Sequence, residues 1–403
     1  MRGGWIEDSL GNFFETATGS TPSKSEKHYY GKGVPLVKPP ELKDGEINSA
    51  QDNLTEEGAG VARVLPPKSI MVSCIGNLGK VGINSIPVAF NQQINAIKPS
   101  YEKALPEFMF YQVLSPRFIE QLNDLASGTT VPIVNKSKFN SVKVKLPPIE
   151  EQKRIVAILD EAFAGIDTAI ANTQQNFANA RELFESYLNN IFTQRGEGWE
   201  EKGLSDVCEI TSSLVDPRLE EFIGLPHIGA GNIISKTGEL VVVQTAREEG
   251  LKSGKFLFDE QMVLYSKIRP YLEKVARPTF SGLCSADMYP LMPKKGMLSR
   301  DFLYYLLLSR RFTDYAIAGS ARAGMPKVNR NHLFQYTTAL PDMAEQKRLV
   351  EQLDAIEAES KQLESIYQQK LTALNELKQS LLQQAFSGRL TAGDKARKVE
   401  AVA

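Results

Sequence analysis

The chain repeats itself at a fixed spacing of 194 residues, and this duplication constrains its fold more than any other feature. The recurring positions are Trp5 and Trp199, residues 151–154 and 345–348, and Phe192 and Phe386, each pair 194 positions apart (199 − 5, 345 − 151, 386 − 192). A spacing that stays constant over so long a stretch indicates two copies of one structural unit. We therefore expect two similar surfaces related by an approximate two-fold axis, which suits a two-fold partner such as duplex DNA or a pair of identical subunits.

Length and composition predict a globular protein of several domains. A chain of 403 residues is too long for one ordinary core. Its 42% hydrophobic and 24% charged content is typical of globular domains in water. No apolar run reaches the length of a membrane-spanning helix, and the first residues lack the apolar segment of a signal peptide. The sequence therefore predicts a protein without a membrane span or secretion signal.

Cysteine usage and net charge limit the compartment and the partners. The three cysteines, Cys74, Cys208 and Cys284, are odd in number and widely spaced, which favours buried, reduced thiols in a cytoplasmic protein. The formal net charge of −1 gives the whole chain no attraction for nucleic acid. Any DNA binding must therefore come from a local basic surface or from a basic partner.

Two segments predict long helices that pack as a coiled coil. Residues 149–195 and 343–390 contain no proline and almost no glycine, and they are rich in helix-forming residues. The second segment has an apolar heptad pattern, interrupted by Ser360 and Lys370, through Leu349, Ile356, Leu363 and Leu377 at one position and Leu353, Tyr367, Leu374 and Leu381 at the other. The first has a looser pattern at Ile155, Leu159, Ala162, Ile166, Phe177, Phe184 and Ile191. Each helix is the expected partner of the other.

Local signals mark the ends of these helices. Both segments follow a proline, and Asp342 with Glu345 three residues later forms the pattern of a capping box. Glu150 and Glu151 place negative charge in the first turn of the other helix, which is favourable there. Ser387 and Gly388 are typical of a helix end.

The remaining segments, 1–148 and 196–342, predict globular α+β domains. They hold nearly all the glycine and all the proline of the chain. Runs typical of strands lie at residues 69–75, 238–243 and 262–266, and helix-like stretches recur at 106–114 and 300–308. The order is therefore globular, helix, globular, helix, with mixed or antiparallel sheets.

We find no motif for catalysis. His28, His227 and His332 lie far from one another and from any cysteine pair, so no zinc-binding spacing occurs. Residues 76–80 and 229–232 are glycine-rich, but neither completes a phosphate-binding or dinucleotide fingerprint, and turns between strands are expected there. Residues 38–41 faintly resemble the loop of amino-group DNA methyltransferases, but they lack its amide or acid and its aromatic residue.

The order of segments and several motifs resemble the specificity subunit of type I restriction–modification enzymes. These motifs are Leu-Pro-Pro-Ile-Glu-Glu-Gln-Lys-Arg-Ile-Val at 146–156 with its repeat at 340–350, Ile-Gly-Ala-Gly-Asn-Ile at 228–233, Tyr-Ser-Lys-Ile-Arg-Pro-Tyr at 265–271, and Met-Pro-Lys-Val-Asn at 325–329. The resemblance extends to about residue 390.

This resemblance implies an architecture and a function. It implies two tandem mixed α/β target recognition domains, 1–148 and 196–342, each reading one half of a bipartite DNA site. The central spacer helix 149–195 and the C-terminal spacer helix 343–390 would form an antiparallel intramolecular coiled coil with pseudo-two-fold symmetry, followed by a polar tail, 391–403. The coiled coil would set the spacing between half-sites.

The resemblance also implies partners. The coiled coil would dock two methyltransferase subunits, and two restriction (motor-nuclease) subunits would join them on double-stranded DNA. The partner subunits would bind S-adenosylmethionine, ATP and magnesium, methylate adenine and cleave DNA. This chain would hold no cofactor and catalyse nothing, in the cytoplasm of a bacterium or archaeon.

The matched polar residues of the long helices are candidates for partner binding. They are Glu151, Gln152, Arg154, Gln174 and Gln175 in the first helix and Glu345, Gln346, Arg348, Gln368 and Gln369 in the second. A buried seam alone would not require matching polar positions, whereas two copies of one partner would. The alternative is that these residues only cap and solvate the helices.

Candidates for DNA contact lie in the globular segments. In the second they are Lys267, Arg269, Tyr271, Arg322 and Lys327, which offer cations and an aromatic ring to phosphate or guanine. In the first they are Asn77, Lys80, Asn91, Gln92, Gln93, Thr129, Thr130 and Lys136, among which the amides suit adenine. Each could instead be a solvated surface residue. The alternative function is a two-headed coiled-coil adaptor that binds proteins rather than DNA.

Overall fold

The computed structural model describes residues 4–194, 196–320 and 325–391. The chain divides into two compact units, one formed by Met1–Gln174 with Gln369–Ala403 and the other by Gln175–Gln368. We call the globular part of the first unit head 1 (residues 4–148) and that of the second unit head 2 (residues 196–342). Within the described ranges, none of the helices is both long enough and apolar enough to span a membrane.

Head 1 combines short helices with mixed sheets, and a long helix follows it. Its elements are β1 (Ile6–Ser9), α1 (Leu10–Phe13), β2 (Thr16–Thr18), β3 (Tyr30–Val37), β4 (Gly45–Ile47), β5 (Asp52–Leu54), α2 (Glu56–Val61), β6 (Val64–Leu65), β7 (Ile70–Ser73), β8 (Val81–Asn84), β9 (Val88–Phe90), β10 (Ile94–Ile97), α3 (Pro106–Leu114), α4 (Pro116–Asp124), α5 (Lys136–Ser141) and β11 (Lys143–Leu146), followed by α6 (Ile149–Thr193). The strand orders are β1-β11, β2-β10-β7-β8-β4 and β5-β3-β9-β6. Strand pairs β3–β9 and β4–β8 are parallel, and the others are antiparallel.

Head 2 repeats this plan, again with a long helix after it. Its elements are β12 (Glu200–Gly203), α7 (Leu204–Val207), β13 (Cys208–Glu209), β14 (Leu214–Val215), β15 (Pro226–Ile228), β16 (Gln244–Thr245), β17 (Lys255–Phe258), β18 (Val263–Ser266), β19 (Val275–Ala276), β20 (Gly282–Cys284), β21 (Met288–Pro293), α8 (Arg300–Leu308), α9 (Arg310–Ala318), α10 (Arg330–Phe334) and β22 (Thr337–Leu340), followed by α11 (Met343–Phe386). The strand orders are β12-β22, β13-β21-β18-β19 and β14-β17-β20-β15-β16.

The predicted α+β class and duplication are confirmed. Equivalent elements begin 194 residues apart, as in β1 and β12, α3 and α8, α4 and α9, α5 and α10, β11 and β22, and α6 and α11. Strand β1 pairs with β11, and β12 pairs with β22. Because the first strand of each head is hydrogen-bonded to its last, the chain leaves each head beside the point where it enters.

The strand expected at residues 238–243 is wrong. Only an isolated bridge between Ile233 and Leu240 forms there. The side chain of Asn232 donates to the carbonyls of Val241 (3.3 Å) and Val242 (2.9 Å), and Val242 has a φ of +45°. The apolar run therefore does not produce a ladder, because the Asn232 amide occupies the carbonyls of Val241 and Val242 and the left-handed Val242 interrupts the extended backbone.

The core of the first unit is completed by the end of α11. Phe108 of α3, Phe118 of α4 and Phe139 of α5 are buried in head 1. Leu382 and Phe386 of α11 belong to the same apolar cluster. The segment after head 2 thus helps to close head 1.

The core of the second unit is completed by the end of α6 in the same way. Phe302 and Tyr305 of α8 are buried with Phe312 of α9. Leu188 and Phe192 of α6 belong to this cluster, although they follow head 1 in the chain. The core of each head is therefore completed by the end of the long helix that follows the other head in the chain.

Within each unit, α6 and α11 run antiparallel, as predicted. In the first unit Asp167 forms an ion pair with Lys378. In the second unit Arg181 pairs with Glu364 at 2.9 Å, and the Tyr187 hydroxyl donates to Gln352 at 3.0 Å. As the residue number rises along one helix, that of its partner falls.

The predicted seam is only partly correct. Buried seam residues include Ile155, Leu159, Ile166, Leu349 and Leu353. The prediction that Leu377 lies in the buried seam is wrong, because this residue is 46% exposed. The reason is that the buried positions near the end of α11 shift to Leu382, Ala385 and Phe386, which leave the heptad pattern to enter the core of head 1.

The predicted ends of α11 are confirmed in part. Asp342 accepts a hydrogen bond from the Glu345 backbone N–H at 2.8 Å, as an N-cap does. The Glu345 carboxylate instead accepts from Arg348, so the reciprocal half of the capping box is replaced by an ion pair. Gly388, with a φ of +74°, follows the helix and donates to the Ala385 carbonyl at 3.1 Å.

Candidate nucleic-acid interface

Three loops of head 1 that are distant in sequence lie side by side. We call them loop cluster 1, comprising residues 74–77, 91–93 and 127–134. The backbone hydrogen bonds that join them run from Cys74 N–H to Gln93 O (2.7 Å), from Gly76 N–H to Pro132 O (2.9 Å) and from Val134 N–H to Cys74 O (2.8 Å). Several DNA-contact candidates of head 1 are thus brought onto one surface by main-chain geometry.

Head 2 builds the same arrangement, which we call loop cluster 2, from residues 267–271, 285–287 and 325–328. Its equivalent hydrogen bonds run from Lys267 N–H to Asp287 O (3.1 Å), from Arg269 N–H to Pro326 O (2.9 Å) and from Val328 N–H to Lys267 O (2.8 Å). The backbone framework is therefore duplicated, whereas the side chains on it differ.

A tight turn flanks each loop cluster. In head 1 it covers residues 38–41, where the Glu41 carboxylate accepts from Lys38 N–H at 2.9 Å, and in head 2 residues 229–232, where Asn232 accepts from Gly229 N–H at 2.8 Å. The turns adjoin the clusters through hydrogen bonds from Asn91 N–H to Val37 O (3.0 Å) and from Ser285 N–H to Ile228 O (2.9 Å). Their spacing is 191 residues (229 − 38), so the fixed 194-residue offset did not reveal their equivalence.

The candidates of head 1 differ in accessibility. Asn77, Thr129 and Thr130 are exposed in loop cluster 1. Lys136 is exposed at the first position of α5, whose N-cap is Asn135. Lys80 lies outside the cluster as we define it and is partly buried, just before β8.

The three amides at residues 91–93 have distinct positions. Asn91 is buried, and its side-chain N–H donates to Gln93 Oε1 at 3.0 Å. Gln92 is exposed and accepts from the Thr21 hydroxyl at 2.9 Å. Asn91 therefore orders Gln93, while Gln92 and Gln93 form the outer part of this loop.

Loop cluster 2 carries cations in contrasting environments. The Lys267 side chain is only 12% exposed, and its ammonium donates to the Ala286 carbonyl beside the Tyr289 ring. Burial lowers the pKa of Lys267, and the nearby positive charge of Lys327 lowers it further. Arg269 is exposed and has a left-handed backbone, with a φ of +51°.

Asp287, which is not among the DNA-contact candidates predicted from the sequence, also lies in loop cluster 2. Its carboxylate lies 3.8 Å from the Lys267 ammonium and 3.6 Å from that of Lys327, and its side chain is 55% exposed. The signal that could have identified it is its position 194 residues after Gln93 (287 − 93).

Tyr271 is the last residue of the 267–271 segment of loop cluster 2. It is exposed, and it lines a groove of about 1050 Å³ whose walls include Phe184 and Leu188 of α6 and Glu364 of α11. A smaller groove of about 570 Å³ in the first unit is lined by Phe163 and Leu382, among others. Tyr271 therefore faces the long helices of its unit. Arg322 lies outside the described residues.

The structure corrects the partner-binding role expected for Gln152 and Gln346, because both side chains are fully buried. Gln152 accepts from Leu105 N–H (2.9 Å) and donates to the carbonyls of Pro147 (2.9 Å) and Lys103 (3.2 Å). Gln346 makes the equivalent bonds with Ser299 (2.9 Å), Pro341 (3.0 Å) and Met297 (2.9 Å). Each glutamine joins the start of a long helix to the loop before the first helix of the α3–α4 or α8–α9 pair, which explains its recurrence without a partner.

The other matched polar residues lie nearer the surface. Glu151 pairs with Arg154 at 3.5 Å and accepts a hydrogen bond from Thr391. Glu345 pairs with Arg348 at 2.5 Å. Gln174, Gln175, Gln368 and Gln369 are exposed near the middle of the two long helices.

The cysteines are free and buried, as predicted. Burial raises the pKa of Cys74, Cys208 and Cys284 to about 12, so each thiol is protonated near neutral pH. Among the described residues, no group of three or more His, Cys, Asp or Glu side chains is placed to hold a metal ion.

Comparison with known proteins gives consistent matches. The family model for the type I restriction modification DNA specificity domain matches residues 3–176 and 196–373. The specificity subunit of the type I restriction enzyme EcoDI of Escherichia coli is 29% identical over 349 residues, covering 78% of this chain and 77% of that protein. The specificity subunit of the enzyme HindI of Haemophilus influenzae is 36% identical over 169 residues, covering 40% of this chain and 37% of that protein.

Solved structures share the fold. A chain from a structure concerning complex assembly and conformational transition of a type I R-M system has a TM-score of 0.79 at 20% identity, covering 97% of this chain and 99% of that one. The HsdS subunit of Thermoanaerobacter tengcongensis has a TM-score of 0.58 at 20% identity, covering 97% of this chain and 98% of that one.

Proposed function

The chain belongs to the type I restriction–modification DNA specificity family, and we propose that its two heads read the two halves of one split DNA site. It is a DNA specificity subunit and not an enzyme. The observation that carries the proposal is the duplicated loop cluster, which has one backbone framework and two different sets of side chains. To read two different base sequences at equivalent positions, a protein needs a constant framework that carries different side chains.

The two clusters offer different chemistry to DNA. Loop cluster 2 presents Arg269 and Lys327, whose cations suit guanine O6 and N7 or phosphate. Loop cluster 1 presents Asn77, Gln93 and Thr130, whose amides and hydroxyl suit adenine or a mixture of donors and acceptors. We infer that the half-sites differ in sequence for this reason.

The long helices act as a spacer and as a docking surface for two methyltransferase subunits. The exposed pairs Gln174–Gln175 and Gln368–Gln369 are the matched positions that support this role. Residues 1–148 and 196–342 are then the target recognition domains, 149–195 and 343–390 the spacer helices, and 391–403 a tail.

The remaining components belong to partner subunits. In the assembled complex the methyltransferase subunits bind S-adenosylmethionine and methylate adenine, and two restriction subunits use ATP and magnesium to move along and cut DNA. We place the complex in the cytoplasm of a bacterium or archaeon, where its DNA substrate lies.

The near-neutral charge of the chain suggests that the methyltransferase subunits neutralise much of the DNA backbone. The formal net charge is −1. Binding by the isolated chain should then depend only weakly on salt concentration, because few counterions are released. A steep salt dependence of the isolated chain would contradict this division of roles.

Co-purification and gel-shift experiments test the proposal. The chain, expressed with the methyltransferase subunit encoded beside it, should purify with two copies of that subunit and shift a specific split-site duplex. Replacing residues 196–342 by the equivalent segment of another family member should change one half-site and leave the other intact. Failure to bind the methyltransferase, or a change in both half-sites, would contradict the proposal. Capture of proteins but not DNA by the complex would favour the adaptor alternative.

A further inference from the structure

We propose that Asp287 and Lys327 together recognise one G·C base pair in the half-site of head 2. The Asp287 carboxylate accepts a hydrogen bond from the cytosine amino group, and the Lys327 ammonium donates to guanine. This inference rests on the proposed function, and it assigns base recognition to two particular side chains of loop cluster 2.

The backbone holds Asp287 at a defined point of the surface. Its N–H donates to the Ser285 hydroxyl at 3.2 Å, and its carbonyl accepts from Lys267 N–H at 3.1 Å. The carboxylate lies 3.6 Å from the Lys327 ammonium. Both side chains are about half exposed, at 55% for Asp287 and 45% for Lys327. A negative and a positive group are therefore presented side by side to solvent.

A carboxylate on a surface that approaches DNA is repelled by the phosphates, so it needs a donor that compensates for this cost. In the major groove the base-edge donors are amino groups, and aspartate accepts from cytosine N4. A lysine suits the O6 and N7 acceptors of guanine. The adjacent carboxylate and ammonium are thus complementary to the two edges of one G·C pair.

Lys267 has a positioning role in this site. Its side chain is only 12% exposed, and its ammonium donates to the Ala286 carbonyl. The ammonium also lies 5.3 Å from the centre of the Tyr289 ring. Lys267 therefore fixes the segment that carries Asp287, and it has little surface of its own to offer a base.

Head 1 places a different pair at the same positions. The residues 194 positions earlier are Gln93 and Ile133 (287 − 93, 327 − 133). Ile133 forms a backbone bridge with Ile75, as Lys327 does with Ile268. An amide beside an aliphatic side chain lacks the charge pair, and an amide suits adenine. The same framework therefore prefers different base pairs in the two heads.

The test is selection of duplexes from a random library by the full-length chain in its purified complex. The wild-type complex should select G·C at one position of the half-site read by head 2. Asp287→Asn should reduce the preference at that position by roughly 5- to 150-fold, the range expected for one base contact. Lys327→Ala should weaken the same position, and both variants should leave the half-site of head 1 unchanged.

Asp124→Asn is the matched control, since it removes an exposed carboxylate from head 1, outside the loop clusters. It should leave every position of the motif unchanged. If Asp287→Asn binds all duplexes more tightly with unaltered preferences, Asp287 acts only by repelling phosphate, and the assignment is overturned. If the wild-type complex selects no split motif, the proposed function itself fails. If it selects a split motif that Asp287→Asn does not alter, only the assignment of Asp287 fails.

Discussion

The ring of Phe386, the last residue of α11, packs edge-on against Phe108 of head 1, with ring centroids 5.3 Å apart and planes at 67°. The equivalent contact in the second unit joins Phe192 of α6 to Phe302 of head 2, with centroids 5.2 Å apart. Each head is therefore closed by the helix that follows the other head. Removal of such a contact should affect one unit selectively.

Phe386→Ala should destabilise the first unit. Truncation of a buried phenylalanine typically costs about 3–5 kcal/mol, because it removes apolar contact and leaves a cavity. Hydrogen exchange should show faster exchange in α3 and α4 and unchanged exchange in α8 and α9. Leu377→Ala is the control, since Leu377 is largely exposed on the same helix. Equal loosening of both heads by Phe386→Ala would contradict this prediction.

Gln152→Ala should destabilise the junction between α6 and head 1. The substitution leaves Leu105 N–H and two carbonyls without their buried partner, and each such loss costs about 1–3 kcal/mol. Chemical unfolding of the full chain measures the change in free energy. Gln383→Ala, at an exposed position of α11, should change stability by less than about 0.5 kcal/mol. If the two variants have equal stability, the buried glutamine does not hold the junction.

The stability of head 2 should fall as the pH falls below about 6.5. His227 is buried beside Glu249, with Nδ1 3.0 Å from the carboxylate, and burial lowers the pKa of His227 below its ordinary 6.5 despite the opposing effect of Glu249. The unfolded chain then takes up a proton before the folded chain does. The stabilisation is therefore present above the ordinary pKa and is lost as the pH decreases toward the folded value.

His227→Gln should reduce this pH dependence. Hydrogen exchange of the strands of head 2, measured at about pH 7.5 and about pH 5.5, compares the variant with the wild type. His28→Gln is the control, because His28 is about half exposed in head 1. If head 2 of the wild type and head 2 of the His227→Gln variant respond equally to pH, His227 does not control the pH dependence of its stability.

Deletion of one heptad from each long helix should change the gap between half-sites and preserve both half-site sequences. Seven helical residues span about 10 Å, which corresponds to about three base pairs. Methylome sequencing of cells that express the variant with its partners reports the gap directly. Deletion of seven residues from the segment after residue 391 is the control. An unchanged gap would show that the helices do not set the spacing.

Local patterns were sufficient to predict several elements. Helix-forming residues and the absence of proline predicted α6 and α11, and Asp342 and Gly388 marked the ends of α11. These features depend on residues that are close in sequence, so local patterns are enough to predict them. The pattern failed at residues 238–243, because the competing group, Asn232, lies outside that window and binds its carbonyls.

The loop clusters could not be predicted as surfaces. Asn77, Gln93 and Thr130 are separate in sequence, and main-chain hydrogen bonds join the loops that carry them. Sequence also could not separate exposed from buried candidates, since Lys267 and Gln152 carry polar groups that the fold turns inward. Sequence did not single out Asp287, because the two lysines beside its carboxylate, Lys267 and Lys327, come from other segments of the chain.

The sequence by itself determined the duplication, the α+β heads, the two long helices and the absence of a recognised catalytic motif. Tertiary structure alone decided which helix end closes which head, as Phe386 with Phe108 and Phe192 with Phe302 show. The physical reason is that a heptad pattern states only that one helix face is apolar. Which residues leave that face to fill a core depends on the cavity that the folded head presents to them.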